Sequence, residues 1–410
     1  MRPTPLPSLF GRDIRRIHCV GVGGMGVGPL AVYLAQLGFD VSGEDDGLTE
    51  DMRAMLTGER VRIAQIPSDG ELVVYSSAVG KTHPARLAAI AGKLPLVRRG
   101  ELLAEVTRGK KLVAVCGSHG KTSTTAMLIT ALRRANFPAG YVLGGLFADA
   151  TPPARAGSND WVVAEIDESD GTIERFSPEI TVAVNLDWDH PDHYRRLADL
   201  ADTFAALFAR TRGTVLVSDA CALSARIVAE RDRRTPSAAG EKPATRSFGR
   251  TGDFRGEMAS DSVEQMTIRL GGEFPAAEAI VRARGEFNAA NATAALAAAR
   301  LMGAEFSRSL LADYPGVRRR QAVLPATGGL TVIEDYAHHP AEIRALLGSL
   351  RRRVTADGRL LVAFQPHRFS RTAQLKAEFA AALAAADGVH LLDVYPAGEA
   401  PVAGGTAADI

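Results

Sequence analysis

Short apolar runs alternate with glycine turns and helical stretches along the first half of the chain. Ile17-His18-Cys19-Val20 reads as a buried strand entering a glycine turn. A helical pattern from Leu30 to Leu37 stops at Gly38, and a second strand runs from Phe39 to Ser42, with a third at Leu72-Val73-Val74-Tyr75. This order predicts a parallel, doubly wound sheet. A second strand–loop–helix unit opens at Lys111-Leu112-Val113-Ala114-Val115, behind the polar stretch Thr107–Lys110, which marks a domain boundary. Trp161–Ala164 and Ile180–Val184 read as further buried strands, each followed at once by polar residues. Residues 1–13 read as a loose lead-in, and 232–262, rich in Gly, Ser, Thr and charge, as loops or short antiparallel strands. Ala289 to Met302 is an alanine-rich helix, and a third unit starts near Leu311 with strands at 330–334, 360–364 and 388–394. The expected division is therefore an α/β chain of three domains, 1–107, 108–309 and 310–410.

Length supports that division, since 410 residues exceed what one ordinary core holds. Lys plus Arg number 48 against 47 Asp plus Glu, a balance that gives no case for a nucleic-acid or membrane partner. Cys19, Cys116 and Cys221 form no CxxC pair, which suits buried thiols in a reducing compartment. With no apolar leader and no membrane-length stretch, the expected location is the cytoplasm.

Chemistry gathers behind the strands. Gly21-Val22-Gly23-Gly24-Met25-Gly26 satisfies GxGxxG, with Asp45 roughly 20 residues on. Its small residues let a backbone approach a pyrophosphate at a helix N-terminus. Spacing alone leaves open a nicotinamide dehydrogenase, another pyrophosphate ligand or a purely structural turn. Gly117-Ser118-His119-Gly120-Lys121-Thr122, with Ser123 following, resembles a Walker loop shortened by two residues between its glycines. Backbone N–H groups there can cradle phosphates, Lys121 can neutralise β/γ charge, and the Thr122 hydroxyl can bind Mg²⁺.

Ala164-Glu165-Ile166-Asp167-Glu168-Ser169-Asp170 places four acids behind a strand, and Glu165, nearest its end, is the expected Mg²⁺ ligand. Most of these acids read as a solvated loop. His190, in Asn185-Leu186-Asp187-Trp188-Asp189-His190, is a candidate second ligand or phosphate contact. Asn288 and Asn291 share one helix face and can read an adenine edge, although capping by Asn288 also accounts for the pattern. In the third unit, Asp335-Tyr336-Ala337-His338-His339-Pro340 and Gln365-Pro366-His367-Arg368-Phe369-Ser370-Arg371-Thr372 follow apolar strands. Zinc is disfavoured there by the lack of nearby cysteine and of HExxH spacing. Arg368 and Arg371 can grip a carboxylate, while Arg318-Arg319-Arg320 reads as a solvated face. Six of nine histidines fall in these post-strand segments.

The order of these motifs resembles the Mur ligases of peptidoglycan synthesis, over nearly the whole chain. AEIDESD at 164–170, DYAHHPAE at 335–342, QPHRFSRT at 365–372 and VYPAGEAP at 394–401 are the most specific pieces, and the last two resemble the alanine-adding branch. The resemblance implies a Rossmann-like UDP-sugar domain, a central P-loop ATPase domain and a Rossmann-like amino-acid domain. It implies an ATP- and Mg²⁺-dependent ligation of L-alanine to UDP-N-acetylmuramate by a monomer or weak homodimer, with no nicotinamide. Gly21, Gly23, Gly24, Gly26 and Asp45 would then hold the UDP-sugar, and Asn288 and Asn291 the adenine. Lys121, Glu165 and His190 would carry the catalysis, and Tyr336, His338, Arg368 and Arg371 would line the alanine and product site. The neighbouring tripeptide-recycling ligase and an inactive UDP-sugar-binding homologue share these features. The chain departs from the branch at Phe287, Asp187 and Gln321, which stand where histidine, glutamate and an aromatic are usual. The third domain is expected to lack its last strands and a helix.

Overall fold

A computed structural model describes residues 6–188, 193–234, 243–262 and 264–410. The first unit is a five-stranded sheet of β1 (Arg16–Val20), β2 (Asp40–Glu44), β3 (Arg62–Ile63), β4 (Leu72–Tyr75) and β5 (Leu96–Arg98). The strands are all parallel in the order β3-β2-β1-β4-β5, the doubly wound arrangement that the alternating pattern predicts. Its helices are α1 (Val27–Leu37), α2 (Glu50–Gly58), α3 (Pro84–Ala91) and α4 (Arg99–Val106). α1 ends as expected at Gly38, whose left-handed backbone (φ 103°) closes the last turn.

The middle unit is a ten-stranded sheet. Its strands are β6 (Lys111–Cys116), β7 (Gly140–Val142), β8 (Ala154–Arg155), β9 (Trp161–Glu165), β10 (Ile180–Ala183), β11 (Thr214–Ser218), β12 (Ala244–Gly249), β13 (Phe254–Asp261), β14 (Met266–Gly272) and β15 (Glu278–Val281). The order is β15-β14-β13-β12-β11-β10-β6-β9-β7-β8. Parallel pairing runs from β7 through β9, β6, β10, β11 and β12 to β13, and β13–β14–β15 continue it antiparallel. α5 (Lys121–Arg134), α6 (Leu197–Arg210), α7 (Ala222–Arg234) and α8 (Glu286–Leu301) cover it. α5 and α8 are buried along most of their length, which their small Ala, Thr and Ser side chains permit by close helix packing.

The third unit has β16 (Ala322–Leu324) paired with β17 (Val332–Glu334), β18 (Leu361–Phe364) paired with β19 (Gly388–Leu391), and helices α9 (Pro340–Arg351) and α10 (Phe369–Leu383). Among the described residues its core is small, built on Ile343, Leu347, Phe364, Phe379 and Leu383, and Leu361 and Val389 stay exposed. Leu311 belongs to the middle core, bridging to Val281, so the third unit opens with β16.

Two expectations are corrected here. The lead-in is anchored: Leu9 is fully buried and the Phe10 amide donates to Glu105 (2.8 Å). Among the described residues of 232–262, β12 extends the parallel sheet in place of the expected loops or antiparallel strands, while β13 pairs antiparallel with β14 along its length, as that expectation allows. One continuous apolar core joins the first and middle units, with Leu34 and Leu103 packed in it alongside Leu112, Ile173 and Phe208.

Candidate active site

β1 runs into Gly21 at φ 79°, and the amides of Gly21 and Val22 donate to the Glu44 carbonyl (2.9 and 3.2 Å). A methyl group at Gly26 would meet the Arg99 side chain at 2.8 Å, so a cation lies directly against the turn. Asp45 sits beside the turn, but both its oxygens are used on backbone, accepting from Gly23 N–H (3.0 Å) and Gly47 N–H (2.8 Å). It shapes the turn, a role its spacing did not indicate. Sequence reasoning missed buried His18, whose ring nitrogens lie 2.9 Å from Ser42 Oγ and 3.1 Å from Glu44 Oε1. Burial lowers its pKa, against the raising effect of the Glu44 hydrogen bond.

The second turn is braced from the loop after β10. Gly117 (φ 120°) presses its backbone against Asn185, and Gly120 (φ 79°) stands beside Asn291. The Asn185 amide holds both sides of His119, donating to its carbonyl (2.9 Å) and accepting from its N–H (2.8 Å). Ser118 Oγ donates to the Asp187 carbonyl and accepts from the Asp187 amide, both at 2.8 Å. These contacts fix the turn against the positive end of α5, a ready anion site. Lys121 Nζ arches over it, donating to the Gly117 carbonyl (2.6 Å) with the buried Glu168 carboxylate 3.5 Å away.

Thr122 Oγ1 donates to Glu165 Oε1 (3.2 Å), while Glu165 Oε2 is buried with no hydrogen-bond partner. Gly144 packs so closely on that oxygen that a methyl group there would overlap it. A buried carboxylate oxygen without a donor is costly, and a hard divalent cation beside Thr122 would satisfy it. No cluster of three or more His, Cys, Asp or Glu suited to a metal occurs among the described residues, and His190 lies outside them.

Beside the turn opens a cavity of about 490 Å³, lined by Gly120, Ser123, Phe287, Asn288, Asn291 and Arg320 among others. Its size is that of a nucleotide pocket. The capping expectation for Asn288 is corrected: Gly285 is the N-cap of α8, and Asn288 Nδ2 donates to the Arg284 carbonyl (2.9 Å). Asn288 and Asn291 do share one face, 3.4 Å apart between amides.

In the third unit the predicted residues converge. The Tyr336 ring carries the Arg319 guanidinium at 4.5 Å and Arg320 at 5.2 Å, so the basic run, exposed at Arg318 and Arg319 as a solvated face would be, also stacks on an aromatic ring. Rings then follow one another: Tyr336 to His338 (5.1 Å), His338 to His367 (5.7 Å), and His367 to Tyr395 (5.6 Å, stacked). Arg371, 2% exposed, brings Nη1 3.3 Å from His367 Nδ1. Arg368 lies at the start of α10, 3.8 Å from Glu399. Arg318 reaches the first unit at Asp51 (3.6 Å).

His119 joins the middle unit to the third. Its Nδ1 lies 3.3 Å from Glu342 Oε1 on α9 and its Nε2 3.4 Å from Asp187 Oδ2. Burial works against the charged ring, but hydrogen bonds and charge from Asp187 and Glu342 outweigh it and hold the pKa up at about 9. Burial likewise works against the Glu342 carboxylate, yet the His119 hydrogen bond and the nearby His338 charge hold it well below the usual range.

A glycine turn before α1, a lysine-bearing glycine turn before α5 and a ring of aromatic and basic groups, each behind a strand, have the arrangement of a three-unit α/β protein built to take a nucleotide. Three family models match the chain in sequence: "Mur ligase family, catalytic domain" at residues 16–111, "Mur ligase middle domain" at 115–299 and "Mur ligase, glutamate ligase domain" at 318–409. It is similar to UDP-N-acetylmuramate–L-alanine ligase of Sorangium cellulosum, 38% identical over 97% of this chain and 86% of that one. The Rhodopseudomonas palustris protein of the same name is 35% identical over 96% of this chain and 85% of its own. Among solved structures, UDP-N-acetylmuramate–alanine ligase of Thermotoga maritima matches with a TM-score of 0.76, at 27% identity, over 93% of this chain and 85% of that one. A murein peptide ligase from Psychrobacter arcticus shares the fold, with a TM-score of 0.69 at 21% identity. The chain belongs to the Mur ligase family.

Proposed function

We propose that the protein joins L-alanine to the lactyl carboxylate of UDP-N-acetylmuramate at the expense of ATP, in the synthesis of peptidoglycan precursors. The observation that carries this reading is Lys121 poised over a glycine turn at the head of α5, beside a nucleotide-sized cavity that the third unit helps to enclose. The named relatives choose the substrates.

The lactyl carboxylate oxygen attacks the γ-phosphorus of ATP, ADP leaves, and an acyl phosphate forms. The amine of L-alanine then attacks the acyl carbon, loses a proton, and inorganic phosphate leaves. Both halves gain from fixed charge more than from a covalent protein nucleophile. Lys121 steadies the transferring phosphoryl group, and the turn's amides and the α5 dipole hold its neighbours. Asn288 and Asn291 orient the adenine within the cavity, and Ser123 borders it. Gly21, Gly23, Gly24 and Gly26, backed by Arg99, hold the UDP pyrophosphate, with Asp45 shaping the turn. Tyr336, His338, Arg368 and Arg371 position alanine and the product carboxylate. Thr122 and Glu165 would hold one Mg²⁺, which when bound would neutralise phosphate charge, and His190 a second that would help orient the carboxylate. Gathering substrates from three domains contributes up to about 7–11 kcal/mol through positioning. With soluble ATP and a UDP-sugar as substrates, the protein works in the cytoplasm, as a monomer or weak homodimer.

The test is phosphate release with ATP, UDP-N-acetylmuramate and a panel of amino acids and the recycling tripeptide. Release with L-alanine above all others supports the proposal. Preference for the tripeptide would make it the recycling ligase, and UDP-sugar binding with no amine-dependent release would make it a binding protein.

A further inference from the structure

His119 occupies an odd place for a residue of a phosphate-binding turn. Its backbone is clamped by Asn185 and its side chain faces out of the middle unit, 13% exposed, into the third. There it meets Glu342, whose carboxylate divides its work. Oε2 accepts from the amides of His338 (2.9 Å) and His339 (3.2 Å), closing the first turn of α9, while Oε1 reaches His119. The His339 ring lies 4.7 Å from the His119 ring, and Asp187 closes the other side. Because Glu342 is fixed by its own helix, it offers His119 a rigid partner, and the imidazole can satisfy it only when the two units are seated together. His119 and Glu342 both line the nucleotide cavity, so this contact stands at its phosphate end.

We propose that His119 is a positioning residue: clasped between Asp187 and Glu342, it couples seating of the third unit on the middle one to the alignment of the turn Gly117–Thr122 for phosphoryl transfer. The proposal rests on the reading of that turn as the ATP site. The groups facing His119 are Glu342 from α9, His339 at the N-cap of that helix, and Asp187 from the loop after β10; His338, just before α9, lies 3.5 Å from Glu342. Two carboxylates against one buried ring keep it an imidazolium at neutral pH.

The experiment uses the full chain with His119→Asn, Glu342→Gln, the double variant and Asp187→Asn. Turnover is measured against pH, and binding of a non-hydrolysable ATP analogue and of UDP-N-acetylmuramate by calorimetry. Each single variant should lose about 10–100-fold in kcat, the scale of a misplaced reacting group, with UDP-sugar affinity within about threefold of wild type. The double variant should lose no more than the worse single one, since both remove the same clasp. The alkaline limb of the wild-type profile should move to lower pH in Glu342→Gln. Unchanged kcat, or losses that add, would overturn the clasp and leave an ordinary interface ion pair. If a variant fails to fold, the distance between labels on α5 and α9 in the wild type decides: it should lengthen as pH rises past the imidazolium range. An unchanged distance counts against the proposal. Failure of the wild type to bind the ATP analogue would strike the ATP assignment, while the clasp would still be judged by that distance.

Discussion

Gly117→Ala is the sharpest probe of the phosphate turn, because its cost is set by backbone. At φ 120° an L-residue is strained, by about 1–3 kcal/mol. The new methyl would also overlap the Asn185 carbonyl oxygen and sit 3.0 Å from its nitrogen. Neither atom belongs to a side chain that can swing away. The Asn185 carbonyl accepts from the Ser118 amide (3.0 Å), and its amide group clamps His119. Overpacking of this kind costs about 1–3 kcal/mol more. The total is about 2–6 kcal/mol, and the turn can relieve it only by moving off Asn185. A turn so displaced loses its donors to phosphate, so affinity for an ATP analogue should fall at least about 30-fold, the equivalent of 2 kcal/mol. Calorimetric titration with the analogue and with UDP-N-acetylmuramate checks this, the second ligand being held on the other turn and little affected. Gly58→Ala, at the end of α2 with nothing within 4 Å, is the control and should bind both normally. If Gly117→Ala bound the analogue within threefold of wild type, with an unchanged melting temperature, the reasoning about this turn would be wrong.

Three other outcomes are expected. Lys121→Ala should abolish turnover while UDP-sugar binding, followed by calorimetry, stays near normal; equal loss of both would contradict its role. Arg371→Ala should raise the alanine KM about tenfold or more in steady-state assays, since a lost charge-assisted hydrogen bond is worth about 1.5–3 kcal/mol, and leave the ATP KM much less changed. Stability should depend on pH through His119. Its pKa rises from 6.5 to about 9 on folding, so its contribution is complete below pH 6.5 and disappears as pH climbs through 9. At 1.36 kcal/mol per unit, that shift sets an upper scale of about 3 kcal/mol. Melting temperatures should therefore fall between pH 6.5 and 9 in the wild type and fall less in His119→Asn.

The parts of this molecule that could be read from sequence are those whose signal is local. Leu72–Tyr75 is a four-residue apolar run between polar stretches, and it is a buried parallel strand over the same four residues. Gly38 and the two glycine turns declare themselves because few other residues adopt their backbone. Lys121 and Thr122 follow such a turn at a helix head, and they lie where that order places them. Arg318–Arg320 show where local reading ends. Three consecutive arginines look solvated, and Arg318 and Arg319 are exposed, but that reading could not show that one pairs with Asp51 and two lie on Tyr336, partners far away in sequence. The same holds for Asp45, whose spacing suggested a ligand while its nearest unpaired donors were the amides of Gly23 and Gly47. A charged side chain has many acceptable partners, and the fold chooses among them by proximity, whereas a central apolar strand such as Leu72–Tyr75 is confined to the core. His119 carries both kinds of information: its place in the turn was written locally, but its charge depends on two carboxylates, one of them contributed by the third unit. Chemistry that waits on domain seating is therefore the part of the site that no single motif can encode.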